Sequence, residues 1–487
     1  MNGIPIGSTL RGWPLVLILL LGGCAAFPER RGSAQIDTML DRRGLPAPAW
    51  PLDGVARDTV PIPSEPLSIE RALKLAWERS PRIRASYAEL GIAQADVLEA
   101  RRVFEPVVGY SRLGVHGGTG AQVTRSIAVA FADLLMLPAR TRLARTEFER
   151  KRLSIAAELV SLATEVESAW LDSVTAQQVS RLRRSAAEVG ETAGELANRL
   201  HAAGNLSAVE HARTLARARE ARVEALRSVT ADRDARAALA TLLDLPLDAA
   251  WTTEQELPAL PVADAIPPDL TEPALALRLD LASAREELRA REQAFGSTRR
   301  WRWLGDVEVG YERESDPVGG RLAGPTLALG IPLFHWNRAG VLRAGAELES
   351  ARAGHAVLER AVRNEVAAAT TKLATSRQIA EHYRAAVPLS DTVVSGTLSN
   401  YNYMLTDAFE LLEAKQDHFI VFAEYLESLA EYWRARAELR VATGGALPPT
   451  AAGDERIGAD DLLGAASAVP AATADPHAGH QGHGGGQ

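Results

Sequence analysis

Two groups of side chains in this 487-residue chain have the type and spacing to act on ions. In Glu410-Leu-Leu-Glu413-Ala414 two carboxylates stand three residues apart, a spacing that puts both on one helix face, and Asp407 lies three residues earlier in the same register. Like charges this close attract cations. The plainer alternative is a set of solvated glutamates on an exposed face. The second group is His477, His480 and His483, evenly spaced in a Gly-rich end. Three imidazoles on a flexible segment chelate Cu(II), Ni(II) or Zn(II) weakly, and a low-complexity tail without a ligand is the alternative. Catalytic machinery is not in view. The chain has no Gly-rich phosphate loop, no Gly-x-Ser-x-Gly elbow and no His-Glu-x-x-His run, and His116, His201 and His335 stand alone. An enzyme is not expected, nor a cofactor other than a covalent lipid.

Composition narrows the class. Hydrophobic residues make up 46% and charged residues 24%, as in folded proteins, while the net charge of −8 gives no basic field for nucleic acid. Aromatics are only 5% and alanine is abundant, which suits close-packed long helices. The single cysteine, Cys24, rules out an intrachain disulfide and a thiolate metal cage. Arg11 precedes an apolar run over residues 13–21, too short to span a bilayer and the length of a signal-peptide core. The run ends in Leu21-Gly22-Gly23-Cys24, which resembles the bacterial lipobox. That resemblance implies cleavage after residue 23 and a diacylglycerol on Cys24. Ala25 is not the aspartate associated with inner-membrane retention, so the outer membrane is implied. A plain signal peptide with an incidental cysteine is the alternative.

The elements that must position these residues come in two copies. Writing residue n above n+200 places Ile127 on Leu327, Glu147 and Glu149 on Glu347 and Glu349, Glu165-Val166 on Glu365-Val366, and Leu239 on Leu439. Each copy reads as a helix, two alternating strands, a very long helix, a short break and a second long helix. The breaks are expected at Gly204-Asn205-Leu206-Ser207 and Ser399-Asn400-Tyr401-Asn402. The organisation expected is therefore 1–23 signal peptide, 24–66 lipidated tether, 67–256 first repeat, 257–273 Pro-rich linker, 274–447 second repeat and 448–487 disordered His/Gly tail.

From Trp301, the residues Trp301, Trp303, Val307, Val309 and Tyr311 alternate with Arg302, Asp306, Glu308 and Glu312. A partner strand is expected at 327–333, across a Gly-rich loop at 315–324, and the first copy offers 107–116 and 123–135. About ten residues is what a tilted strand needs to cross a bilayer, although soluble hairpins show the same pattern. Four strands cannot close a barrel, and open edges in hydrocarbon cost several kcal/mol per unpaired peptide group. Several chains must then share one barrel, and three chains with twelve strands leave room for a pore. The long helix expected over 140–200 would reach about 90 Å. Within it Ile155, Leu159, Leu162, Val166, Ala169, Ser173 and Ala176 hold the 4-3 spacing of a coiled-coil seam.

In this order the segments resemble the TolC-type outer-membrane efflux factor family in its lipid-anchored form. The likeness spans residues 67–445 and rests on Leu67-Ser-Ile-Glu-Arg-Ala-Leu73 through Ser80-Pro81, on Leu329-Gly-Ile-Pro-Leu-Phe334 and on Phe409-Glu-Leu-Leu-Glu-Ala414. It implies a mainly α protein with transmembrane β, assembled as a homotrimer with a twelve-stranded barrel and a periplasmic α-helical barrel. It also implies a periplasmic adaptor and an inner-membrane pump as partners, besides outer-membrane lipid. The family's acidic-x-x-acidic-Ala gate pattern falls on Glu410 and Glu413, with Asp407 as a third ring, and Glu for Asp lengthens the arm. Tyr401 and Tyr403 flank the tip where the family often has glycine, and Asn402 is expected to supply a left-handed turn. By the same resemblance Gly204, Asn205, Leu206 and Ser207 meet the adaptor. The expected cargo is a heavy-metal ion such as copper. Drug or small-molecule efflux, type I secretion and a non-conducting periplasmic lipoprotein are the alternatives.

Overall fold

The computed structural model describes residues 32–48, 65–102, 105–114, 116, 120–264, 266–303, 305, 307–330, 336–445, 447–448 and 455–461. Its elements run α1 (Ser33–Asp41), α2 (Ile69–Arg79), α3 (Pro81–Ala100), β1 (Val107–Gly114), β2 (Ala121–Ala130), α4 (Phe131–Ala202), α5 (Ala208–Leu243), β3 (Leu257–Pro258), α6 (Thr271–Leu277), α7 (Leu279–Arg300), β4 (Val307–Ser315), β5 (Arg321–Leu329), α8 (Arg338–Asn402), α9 (Ala408–Ala442) and β6 (Arg456–Ile457). Local chemistry sets many of the boundaries. Arg71 N–H donates to the Ser68 hydroxyl (3.3 Å) to cap α2, and Pro81 opens α3, where its missing N–H is not needed. The order helix pair, strand pair, long helix, long helix occurs twice. Glu165 of α4 accepts from Arg82 of α3 (2.7 Å), and Glu365 of α8 likewise binds Arg278, which precedes α7.

Helix α4 is central. Its 72 residues extend about 108 Å at 1.5 Å per residue. Near the sheet it is flanked by α3, through Lys151–Glu89 (2.6 Å), and by α7, whose Ser283 hydroxyl donates to the Arg150 carbonyl (3.1 Å); α7 then meets α8 through Arg291–Glu347 (3.2 Å). Farther away its neighbours are α5 and α9, and α9 meets α8. The layer is thus four helices wide throughout, α3-α4-α7-α8 and then α5-α4-α9-α8, and no comparable packing joins α5 to α8 among the described residues. The expected seam is buried from Ile155 through Ser173, while Ala176 is half-buried in a groove beside α5. The edge helices leave apolar side chains exposed: Val223 and Leu226 on α5, and Val357, Leu389 and Val393 on α8. The sheet is also open, antiparallel in the order β1-β2-β4-β5.

At mid-length a collar supplies the largest core residues, Trp170, Trp251 and Tyr432. Each indole N–H there finds a backbone carbonyl: Trp170 to Leu67 (2.7 Å), Trp251 to Pro246 (3.2 Å) and Trp433 to Pro258 (2.8 Å). Asp264, only 4% exposed, accepts from Arg377 (3.0 Å), Arg436 (2.7 Å) and the Tyr432 hydroxyl (2.6 Å). Burial and the adjoining Asp264 carboxylate raise the Tyr432 phenol well above its ordinary pKa.

Several expectations are corrected. The tether contains α1, whose Ile36 and Leu40 are fully buried in the main core. The Pro-rich linker pairs with the tail, Leu257 with Ile457 and Pro258 with Arg456, and Ala459 is buried, so residues 455–461 are ordered. Trp301 and Trp303 are not in a strand: α7 continues through Arg300, and the two indoles pack on each other (6.0 Å) in the following turn. Strand β2 ends at Ala130, with Leu135 already in α4, and the second-copy hairpin turns over 316–320. The second break lies at 403–407, because α8 runs through Asn402. Cys24, Asp306, His335 and His477, His480 and His483 lie outside the described residues, as does the signal segment.

Candidate functional site

The end of the helical layer away from the sheet is built from two turns of the same design. In the first, Gly204 takes φ +78°, and Asn205 N–H donates to the Leu200 carbonyl (2.8 Å). In the second, Met404 takes φ +59°, and Leu405 N–H donates to the Asn400 carbonyl (2.9 Å). The left-handed residue is therefore Met404, two positions beyond the expected Asn402. Both turns hand over to capped helices. Ser207 and Glu210 form a reciprocal capping box on α5 (Glu210 N–H to Ser207 Oγ, 3.2 Å), and Asp407 accepts from Glu410 N–H (2.9 Å) on α9.

These caps decide what the expected gate residues do within one chain. Asp407 is an N-cap, so its carboxylate serves the helix end. Glu410 accepts from the Thr406 hydroxyl, and Glu413 is ion-paired with Arg217 of α5. Tyr401 and Tyr403 stand exposed at the end of α8, next to Met404, which is 94% exposed. Leu206 from the first turn, Asp407 from the second, Phe409 and Glu413 from α9, and Arg213 and Arg217 from α5 line one groove of about 250 Å³. The turn expected to meet a partner and the acidic turn thus share a single surface.

Sequence reasoning missed Arg217, although a signal exists. At the 200-residue offset Arg213 faces Glu413 and Arg217 faces Asp417, so the two copies carry opposite charges at matching positions. Burial and the neighbouring Glu413 raise the Asp417 pKa, against the pull of Arg217. It also missed His211, which stacks on His201 at 4.4 Å; His201 is therefore not isolated, and its Nδ1 hydrogen-bonds the Leu206 carbonyl (2.9 Å). A third is His418 on α9, set beside Ser390 (2.6 Å) and Asp391 (3.1 Å) just past Pro388, which lies inside α8. Burial lowers the His418 pKa, with Asp391 acting the other way. Among the described residues no three metal-ligating side chains converge.

The sheet separates its charges by face. Directly paired residues point to the same side, so the register Val108↔Ile127↔Tyr311 and Val129↔Val309↔Leu327 builds one apolar face. The other face carries Ser111, Thr124, Ser126, Glu308, Glu312 and Glu314, with Val107, Leu113 and Leu322 at its ends. Apolar residues on the first face, among them Val108, Tyr311 and Leu327, are exposed. Among the described residues no helix is long and apolar enough to cross a membrane.

Comparison with known proteins accords with this geometry. No protein-family model matches the chain. The cobalt-zinc-cadmium resistance protein CzcC of Cupriavidus metallidurans is 24% identical over 383 residues, 76% of this chain and 88% of that protein. Among solved structures, the CmeC outer membrane channel of Campylobacter jejuni matches with a TM-score of 0.67 at 13% identity, over 85% of this chain and 96% of that one. The MtrE outer membrane channel of Neisseria gonorrhoeae matches with a TM-score of 0.64 at 18% identity, over 82% and 97%. The fold is therefore that of the outer-membrane channels, as the TolC-type resemblance over 67–445 implied. CmeC and MtrE are themselves outer membrane channels.

Proposed function

We propose that the chain is one of three identical subunits of an outer-membrane efflux channel. The observation that carries this reading is that both layers are open at the same width. Among the described residues, four strands leave the outer edges of β1 and β5 unpaired, and four helices leave exposed apolar edges on α5 and α8. Three copies would close twelve strands around a pore and twelve helices into a tube below it. The polar face with Glu308, Glu312 and Glu314 would then line the pore, and the apolar face would meet lipid. The 250 Å³ groove at the tip would receive a periplasmic adaptor, which links the tube to an inner-membrane pump. A diacylglycerol on Cys24 would hold the chain to the outer membrane.

Heavy-metal cations are the proposed cargo. The relative named for cobalt, zinc and cadmium resistance supports this, as do three carboxylates per chain on the pore-lining face, nine in a trimer. The tail histidines His477, His480 and His483 would add weak metal affinity. Planar-bilayer recording tests the channel: purified trimers should give stable steps with a preference for cations. A protein that inserts and stays silent after both Glu410 and Glu413 are changed to Ala is not a channel. For the cargo, a deletion strain should become sensitive to cobalt, zinc, cadmium or copper. Sensitivity to dyes and detergents alone would favour drug efflux.

A further inference from the structure

The apolar sheet face carries four arginines that a lipid-facing surface does not need. Arg125 of β2 is paired directly with Arg313 of β4, and the same row continues to Tyr110 on one side and Ala323 on the other. The adjacent row on that face reads Arg112, Val123, Ser315, Arg321. All four arginines therefore lie on the face of Ile127, Val309 and Leu327, in the half of the sheet next to the two hairpin loops. The strand carboxylates Glu308, Glu312 and Glu314 all have the opposite parity and lie on the other face. All four arginines are exposed, and among the described residues no carboxylate lies within ion-pair distance of any of them.

This arrangement is unfavourable on its own. Side chains directly opposite in an antiparallel pair have Cβ atoms about 4.5–5.5 Å apart, and like charges there destabilise the pairing. A cation on the outer face of a barrel is least costly near the membrane interface, which is where the loop end of the sheet would stand. Both problems are resolved by an anion placed between the guanidinium groups. A phosphate suits them, since a planar guanidinium can donate two parallel hydrogen bonds to its oxygens.

We infer that Arg112, Arg125, Arg313 and Arg321 form a binding site for phosphate-bearing lipid headgroups of the outer leaflet, with Arg125 and Arg313 sharing one phosphate. The inference rests on the proposed barrel, which fixes this face toward lipid and the hairpin loops outward. The lipid's acyl chains would lie along Val108, Ile127 and Tyr311 below the charged rows. The occupant is a lipid, because the cations are continuous with an apolar surface of exposed aromatic and branched side chains.

The test is native mass spectrometry of full-length trimers in a zwitterionic detergent, titrated with bisphosphorylated lipid A and, separately, with phosphatidylcholine or inorganic phosphate. Wild-type trimers should retain lipid A in preference to phosphatidylcholine. In R125Q/R313Q retention should fall about tenfold, the scale of losing charge-assisted bonds to one phosphate. E312Q, on the opposite face, should bind as wild type. Equal retention by R125Q/R313Q overturns the lipid site. So does inorganic phosphate binding with the same arginine dependence while lipid A is not retained. Bilayer conductance of the same preparations separates the two levels: a variant that still conducts leaves the channel reading intact whatever its lipid retention, whereas a wild-type protein that fails to insert overturns both.

Discussion

Removing the ion pair between Arg217 and Glu413 tests whether the tip is a gate. The pair ties α5 of the first hairpin to α9 of the second, and both side chains are about half exposed, at 53% and 49%. Solvent screening limits such a pair to roughly 0.2–1 kcal/mol, so R217A should scarcely change the stability of the chain. The effect on gating would be larger, because the proposed trimer repeats the tie around one axis. Three ties of about 0.5 kcal/mol sum to about 1.5 kcal/mol, close to a tenfold rise in the ratio of open to closed channels. Single-channel recording at low salt should show this rise for R217A and for E413Q, and it should shrink near 1 M salt, where the Debye length is about 3 Å. The decisive variant is the charge swap R217E/E413R. It should return the open probability toward wild type, because the coupling depends on opposite signs and not on which helix carries which. A swap as leaky as the single variants, or an R217A channel no more open than wild type, refutes the gate.

Three further outcomes follow from the packing. D264N removes the carboxylate that neutralises Arg377 and Arg436 in the collar, and should cost about 3–5 kcal/mol in unfolding measured by near-UV circular dichroism, whereas Y432F should cost only about 1 kcal/mol. Buried His418 has a lowered pKa, so the unfolded chain takes up its proton first; stability is full above about pH 6.5 and is lost as pH falls below it, and H418Q should flatten that acid limb of a pH–stability profile. Met404 and Gly204 occupy the same left-handed position, and no neighbour lies within 4 Å of a side chain added at residue 204. M404G should therefore stabilise its turn, and G204A destabilise its own, by about 1 kcal/mol, read from chemical denaturation.

Burial and alternation made much of the fold legible. Ile155 to Ser173 keep their seam because α4 is packed on both flanks, so the 4-3 spacing reports real contacts. What escaped depends on pairing over long distances. Leu257 and Ile457 join two residues that carry no strand pattern by themselves. Residues 301–303 continue the alternation of β4, but helix α7 reaches Arg300 and leaves them in a turn. At the tip, glycine announces the first turn, whereas methionine has no turn preference, so Met404 could be placed only by its offset from Gly204. Arg217 was hidden for a similar reason. A pair of opposite charges 196 residues apart has no local signature until the two copies are superposed.

The sheet shows how register adds meaning that composition lacks. Alternation along β4 says that Glu308, Glu312 and Glu314 share a side, but not whether the cations of β2 stand with them or against them. A shift of one residue between β2 and β4 would place Arg125 beside Glu312 or Glu314, giving a face of ordinary ion pairs. The observed pairing, Thr124 with Glu314 and Arg125 with Arg313, instead keeps the acids with small polar residues and gathers the arginines among exposed apolar side chains. Cross-strand neutralisation would have been the more stable choice for a sheet in water. Its absence accords with the proposed barrel, in which the two faces would meet different media: a hydrated interior that tolerates clustered carboxylates, and an outer rim where an anion other than a side chain would supply the missing charge.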